Sequence, residues 1–205
     1  MHFTGKSRGM LYCAMTKNRL EAFSDGVIAI IITILVLELK IPHGTGFSVL
    51  RPLVPVFLTY ILSFVYLAIY WNNHHHMLHT VTKVNGRILW ANLHLLFWLS
   101  LIPFATGWMG ENHFAAEPTA LYGVVLLMAA IAYTILQAEI VRHHGPTSVL
   151  ASAVGRDLKG KISIVAYIAA IGLAFVDQRI SDALYILVAL LWLVPDRRIE
   201  SKLGS

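Results

Sequence analysis

Charged residues are scarce in this chain. Aspartate, glutamate, lysine and arginine make up 13% of its 205 residues, whereas a water-soluble domain carries about 25%. Hydrophobic residues make up 57%, and the mean hydropathy is +0.67. This composition excludes an ordinary soluble domain and predicts an integral membrane protein.

The chain also has little cysteine, and its N-terminus is not typical of a cleavable targeting signal. Cys13 is the single cysteine, so an intrachain disulfide framework is excluded. The first 19 residues are basic but too polar to form the apolar core of a signal peptide, and we expect the first hydrophobic helix to stay in the mature protein. No internal repeat is present, which predicts one domain over residues 1–205.

Long apolar runs fill the rest of the chain. Proline or glycine lies at or near the ends of most of them, where helix breakers belong. The runs predict an all-α fold of six transmembrane helices, over residues 19–41, 52–78, 88–110, 119–142, 160–177 and 180–195. The last two are short for a crossing of about 20 residues.

The basic residues indicate the orientation of these helices. Thirteen of the 16 lysines and arginines fall in the two termini and in the second and fourth loops. Lys40, Arg51 and Arg179 alone fall on the other side. By the positive-inside rule, both termini are cytoplasmic in a multi-pass protein of the inner cell membrane. The net charge of +5 therefore needs no nucleic-acid partner to explain it.

The first predicted helix carries an ionisable residue. Its sequence, RLEAFSDGVIAIIITILVLELKIP, places Asp25 near the head of a long apolar run, where a carboxylate needs polar partners or a wet cavity. At about 100° per residue, one face holds four residues that we call the stripe, namely Ile30, Thr33, Ile34 and Leu37. Asp25 lies on roughly the opposite side of the helix.

Each of these features has more than one interpretation. An apolar stripe on a membrane helix can face lipid or packing partners as well as a pore. The Thr33 hydroxyl can bond the backbone of its own helix or meet a passing ion. Ser24 and Asp25 can cap the start of the helix, although Arg19 upstream indicates an earlier start and favours an interhelical network.

The motif R-x-x-x-F-S-D in RLEAFSDGVIAIIIT resembles the signature of prokaryotic members of the transmembrane-protein-175 family of potassium channels. The stretches YWNNHH and LWANLHLLFWLSLIPFAT, at the end of helix two and in helix three, are also similar to that family. The resemblance covers most of helices one to three. It implies one six-helix unit per chain and a homotetramer with helix one around a central pore.

The resemblance also implies roles for individual residues. Ile30, Ile34 and Leu37 would form a constriction in the pore. A polar network with helices two and three is implied for the motif residues, which are Arg19, Phe23, Ser24 and Asp25. In this sequence the best partners are His74 near the cytoplasmic end of helix two and Asn92 in helix three, and Trp90 is a weaker candidate.

The expected function is that of a potassium channel with moderate selectivity over sodium. The chain contains no TVGYG filter and no helix with arginine at every third position, so selectivity would come from a hydrophobic neck that strips part of the ion's water. Potassium is the permeant ion, and no cofactor or enzymatic activity is expected.

Two other interpretations depend on the titratable residues. A proton-coupled or other secondary transporter of the inner membrane could use Asp25 and His74, but helix one has no glycine or proline between residues 26 and 42 to break it near the midplane. His75 and His79 share a helical face, but no acidic residue or cysteine nearby in the sequence completes a tetrahedral site, so no metal is expected.

Overall fold

The structure is a computed structural model that describes residues 16–154 and 157–193. Within these residues the regular elements are all helical, and a 3₁₀ turn, Phe47–Leu53, precedes α2. The helices are α1 Lys17–Leu37, α2 Val54–His79, α3 Gly86–Ser100, α4 Ile102–Glu111, α5 Ala116–His144, α6 Val149–Val154, α7 Leu158–Leu173 and α8 Gln178–Leu193.

The predicted helix 88–110 is divided in two by the structure. It becomes α3 and α4, which are interrupted at Leu101, where the backbone N–H bonds the carbonyl of Trp98 three residues earlier at 3.2 Å. Pro103 explains the interruption, because proline has no N–H and its ring clashes with the carbonyl four residues before it. The apolar run from residue 88 to residue 110 continues through this proline and therefore gives no sign of the interruption.

Several predicted helix ends also differ. α1 ends at Leu37 instead of residue 41, and Pro42 disfavours a helical backbone at Ile41, the residue before it. The short α6 was not predicted. The predicted end of the last helix, at residue 195, lies outside the described residues.

Four helical segments of the described chain are long and apolar enough to cross a membrane. They are Lys17–Leu37, Phe47–His79, Gly86–Glu111 and Ala116–His144. α7 has 16 residues and the described part of α8 also has 16, whereas a perpendicular crossing needs roughly 20. The described part of the chain is therefore that of an all-helical membrane protein with four candidate spans, and six crossings remain a prediction.

The long helix α5 packs against α3, α4, α7 and α8, whereas α1 lies to one side and packs against α2, α3 and α4. α4 comes close to α2 at Gly110, where an added Cβ would lie 2.6 Å from Thr59 Oγ1 and 2.7 Å from the Val56 Cα. Small residues allow such close approach between membrane helices. Among the described residues, this packing leaves one face of α1 without a partner.

Candidate functional site: the α1 stripe and its polar anchor

α1 has one buried and one exposed face. Ile28 and Leu35 are fully buried against the bundle. Ile30, Ile34 and Leu37 are 59%, 41% and 78% exposed. The stripe predicted from the sequence thus lies on the side of α1 that residues 16–154 and 157–193 do not cover.

Thr33 lies on the same exposed face, and its hydroxyl donates a hydrogen bond to the Ile30 carbonyl at 2.8 Å. The hydroxyl hydrogen is therefore used inside the helix. Its oxygen still has lone pairs on the exposed side, because donation leaves the acceptor sites of a hydroxyl free.

A chain of buried polar side chains joins α1, α2 and α3. Ser24 Oγ donates to the Leu20 carbonyl at 2.8 Å and accepts from Asn92 Nδ2 at 2.9 Å. His74 Nε2 lies 2.7 Å from Asn92 Oδ1, and it must be the donor because an amide oxygen only accepts. Ser24, His74 and Asn92 are each at most 1% exposed. We call these three residues the polar anchor.

Asp25 has a different partner from those expected. Its Oδ1 accepts a hydrogen bond from Trp71 Nε1 at 3.0 Å, whereas His74 and Asn92 are bonded in the polar anchor. Ser24 faces the contact of α1 with both neighbouring helices, while Asp25 is rotated about 100° away, toward the partly exposed edge beside α2. Trp71 lies three residues before His74, on the same face of α2. This spacing could have identified Trp71 as a candidate partner of Asp25 from the sequence.

Three other expected residues lie away from this contact. Arg19 and Phe23 are exposed, with Phe23 at 45%, because their helical positions match those of the stripe. Trp90, on α3, is 75% exposed. Ser24 and Asp25 lie in the second and third turns of α1, so neither caps the helix.

Polar contacts also hold the chain at the start of α1 and just beyond its end. At one end, the Lys17 ammonium donates to the His79 carbonyl at 2.8 Å. Beyond the other end, Lys40 pairs with Glu111 of α4 at 2.6 Å, and this hydrogen bond raises the pKa of Lys40 above that of an ordinary lysine. α1 is thus attached to α2 near its start and to α4 near its end.

Residues 16–154 and 157–193 contain no group of three or more histidine, cysteine, aspartate and glutamate side chains that could hold a metal. The rings of His75 and His79 stack on each other, with centroids 6.2 Å apart. Both residues are exposed and form a column on the surface of α2, whereas His74 is buried in the polar anchor.

Comparison with known proteins identifies close relatives. The family model described as endosomal/lysosomal potassium channel TMEM175 matches residues 19–103. A potassium channel of a Chryseobacterium species is 59% identical over 189 residues, which cover 92% of this chain and 98% of the relative. A potassium channel of Streptomyces collinus is 31% identical over 186 residues, covering 84% of this chain and 89% of the relative.

A solved structure shares the fold. The crystal structure of a lysosomal potassium-selective channel TMEM175 homolog from Chamaesiphon minutus superposes with a TM-score of 0.74 at 25% sequence identity. The match covers 88% of this chain and 97% of that chain.

Proposed function

The chain belongs to the TMEM175 family, and on that premise we propose that it is a potassium channel of the inner cell membrane, formed by four identical chains around α1. Its relatives in Chryseobacterium and Streptomyces are named potassium channels and match it over most of their lengths. The same names favour a transport protein over an enzyme.

The observation that carries this proposal is the exposed apolar face of α1. One helix cannot enclose a path for ions, but four copies of this face around an axis would place three rings of branched side chains along it, from Ile30, Ile34 and Leu37. Seven residues of helix span about 10 Å, so the rings form a short neck. The opposite face of α1 is buried against its own chain, and no residue of 16–154 or 157–193 covers the stripe on the side that would meet the axis.

Such a neck provides a gate and a selectivity mechanism. When narrow, a ring of apolar side chains excludes water and blocks ions. When wider, it admits an ion that has lost part of its hydration shell. Potassium holds water less tightly than sodium, so the neck favours potassium moderately. The Thr33 oxygen lies within the stripe and offers the ion a ligand in place of a lost water molecule.

The polar anchor supports this role by holding α1 in a fixed orientation. Its members are buried, and Asn92 bonds one partner from each neighbouring helix. A rotation of α1 by one residue would remove Ser24 from Asn92 and turn the stripe by about 100°. Arg19 and Phe23 are exposed in the single chain. In the proposed tetramer they contact the neighbouring chains, so that the polar network of the R-x-x-x-F-S-D motif extends between subunits.

We further propose six crossings with both termini in the cytoplasm. α7 and α8 expose large apolar side chains, among them Val165 at 67%, Ile168 at 57% and Leu187 at 59%. Such faces suit lipid better than water. Local thinning of the bilayer and snorkelling of flanking residues accommodate short helices.

A secondary transporter is the alternative, and the structure gives it less support than the sequence did. The titratable pair that motivated it, Asp25 and His74, is divided between two contacts, one with Trp71 and one with Asn92. Potassium flux into liposomes, driven by a potassium gradient alone, separates the two functions. We expect electrogenic flux that needs no counter-substrate and no proton gradient. Flux that stops without a proton gradient would contradict the channel.

A further inference from the structure

Two neighbouring histidines at the end of α5 bond the loop between α2 and α3. The backbone N–H groups of Thr82 and Lys83 both donate to His144 Nε2, at 3.2 and 3.3 Å. Asn85 Nδ2 lies 3.0 Å from His143 Nδ1. We call His143 and His144 the latch, because they join this loop to a helix end about 60 residues away in the sequence.

The partners of His144 fix its charge. Its Nδ1 lies 3.0 Å from the Ile140 carbonyl oxygen, which can only accept, so Nδ1 carries a hydrogen. Its Nε2 faces two backbone N–H groups, which can only donate, so Nε2 carries none. A ring with a single N–H is neutral, and the contacts with the loop therefore require an uncharged His144.

The same argument applies to His143. Asn85 Oδ1 accepts from the Ile88 N–H at 2.9 Å, which caps α3 and orients the Asn85 amide. The amide nitrogen of Asn85 is then the donor to His143 Nδ1, so this ring nitrogen carries no hydrogen either. The contact of His143 with the loop also requires the accepting nitrogen to be unprotonated.

Acid removes all of these contacts together. Histidine takes up a proton as the pH falls from about 8 to about 5. The added hydrogen goes to the nitrogen of each ring that accepts from the loop, so donors then face donors. The contacts are thus present at the higher pH and lost at the lower pH.

The charged groups around the latch do not replace the lost contacts. The other charged or titratable side chains at this end of the bundle are Lys17 and Glu21 of α1, His79 of α2, Lys83 of the loop, Arg87 of α3, Glu139 and Arg142 of α5, and Asp157, Lys159 and Lys161 at the start of α7. Cations outnumber carboxylates in this set, which opposes further positive charge. Glu139, one turn before His143, already pairs with Arg142 at 3.5 Å.

We propose that the latch is a pH-sensitive switch: the neutral histidines hold the α2–α3 loop to α5, and their protonation releases it. The loop joins the two helices that supply His74 and Asn92 to the polar anchor. In the orientation proposed above, the loop faces the cytoplasm, so the switch responds to acid on that side. The contacts lie within one chain, and their test does not depend on ion conduction.

A spin label on the loop tests the release. Thr82→Cys, in a Cys13→Ser background, replaces an exposed side chain and keeps the backbone N–H. The full chain is labelled with a nitroxide in detergent, and its spectrum is recorded at about pH 7.5 and about pH 5.5. We expect restricted motion at the higher pH and loss of the restricted component at the lower pH. Equal spectra at both pH values would overturn the proposal.

A second label and two variants locate the response. A label at Arg179→Cys, exposed at the start of α8, should show no change with pH, and the same loosening there would mean general unfolding and overturn the local switch. The double variant His143→Gln, His144→Gln keeps acceptor oxygens and amide donors that do not titrate, so its loop should stay restricted at both pH values. His144→Arg offers donors alone, so its loop should be mobile at both. An acid response in the double variant as large as in the original chain would assign the response to other groups and overturn the proposal.

Discussion

Ile28 and Ile30 lie two residues apart on α1 and have the same side chain, yet one is fully buried and the other is 59% exposed. They form a matched pair for testing which face of the helix meets the ion. Ile30→Asn should raise potassium flux, because an amide in the neck admits water and lowers the barrier. Sodium flux should rise as well, since less dehydration is required.

Ile28→Asn is the control for this prediction. It buries an amide without partners, which costs about 1 to 3 kcal/mol, and should lower the folded yield without opening a path. Potassium and sodium flux are measured in liposomes that contain equal amounts of assembled protein. If Ile28→Asn raised ion flux and Ile30→Asn left it unchanged, the assignment of the exposed face to the pore would be wrong.

Thr33 is the one hydroxyl on the stripe. If its oxygen replaces a water molecule of the ion, Thr33→Val should lower the preference for potassium over sodium, because valine keeps the shape and removes the oxygen. Thr33→Ser, which keeps the hydroxyl, should preserve the preference. Reversal potentials in mixed potassium and sodium gradients give the ratio, and an unchanged ratio in Thr33→Val would limit the hydroxyl to its bond with the Ile30 carbonyl.

The contacts of α1 with α2 and α3 make a different prediction, about stability. Asn92→Ala leaves the buried Ser24 and His74 without their shared partner and should destabilise the chain by about 1 to 3 kcal/mol.

Asp25→Ala also reduces assembly or folded yield, but by less, because the bond of Asp25 to Trp71 is partly exposed. Melting temperatures and the fraction of assembled protein report both effects.

A different result would change the role of Asp25. If Asp25→Ala assembled and melted like the original chain and lost only its ion selectivity, Asp25 would belong to the conduction path and not to the contacts that hold α1.

The helices show what the sequence could and could not predict. Apolar runs indicated where α1, α2, α5, α7 and α8 lie, because burial and lipid both require such runs. The break at Leu101 was missed because one proline within an apolar run does not reveal whether the helix bends or ends. The partners of Ser24 and Asp25 depend on how α1 is rotated against α2. The sequence offered His74 and Asn92 as partners for both residues, whereas the structure bonds Ser24 to Asn92 and Asp25 to Trp71.

At the scale of the whole molecule, the faces of single helices were predictable and their surroundings were not. The stripe followed from helical periodicity alone. Whether an exposed apolar face meets lipid, another chain or an axis does not follow from one chain, because all three environments suit the same side chains.

The proposed pore predicts how many chains assemble. The channel requires several copies of α1, so we expect a homotetramer in mild detergent, detectable by native mass measurement and by crosslinking. A stable monomer with full flux activity would contradict the proposal, because a single chain offers the ion no enclosed path.

The most direct test of a pore lined by α1 is the access of water to its two faces. Cys13 is the only native cysteine, so a Cys13→Ser background allows one new thiol at a time. Leu37→Cys lies on the stripe at 78% exposure, and Leu35→Cys lies on the buried face. A charged thiol reagent is applied during potassium current recordings in a bilayer. The account predicts that the reagent blocks current through Leu37→Cys and leaves Leu35→Cys unaffected; block of Leu35→Cys alone, or an unmodified Leu37→Cys in a conducting channel, would contradict it.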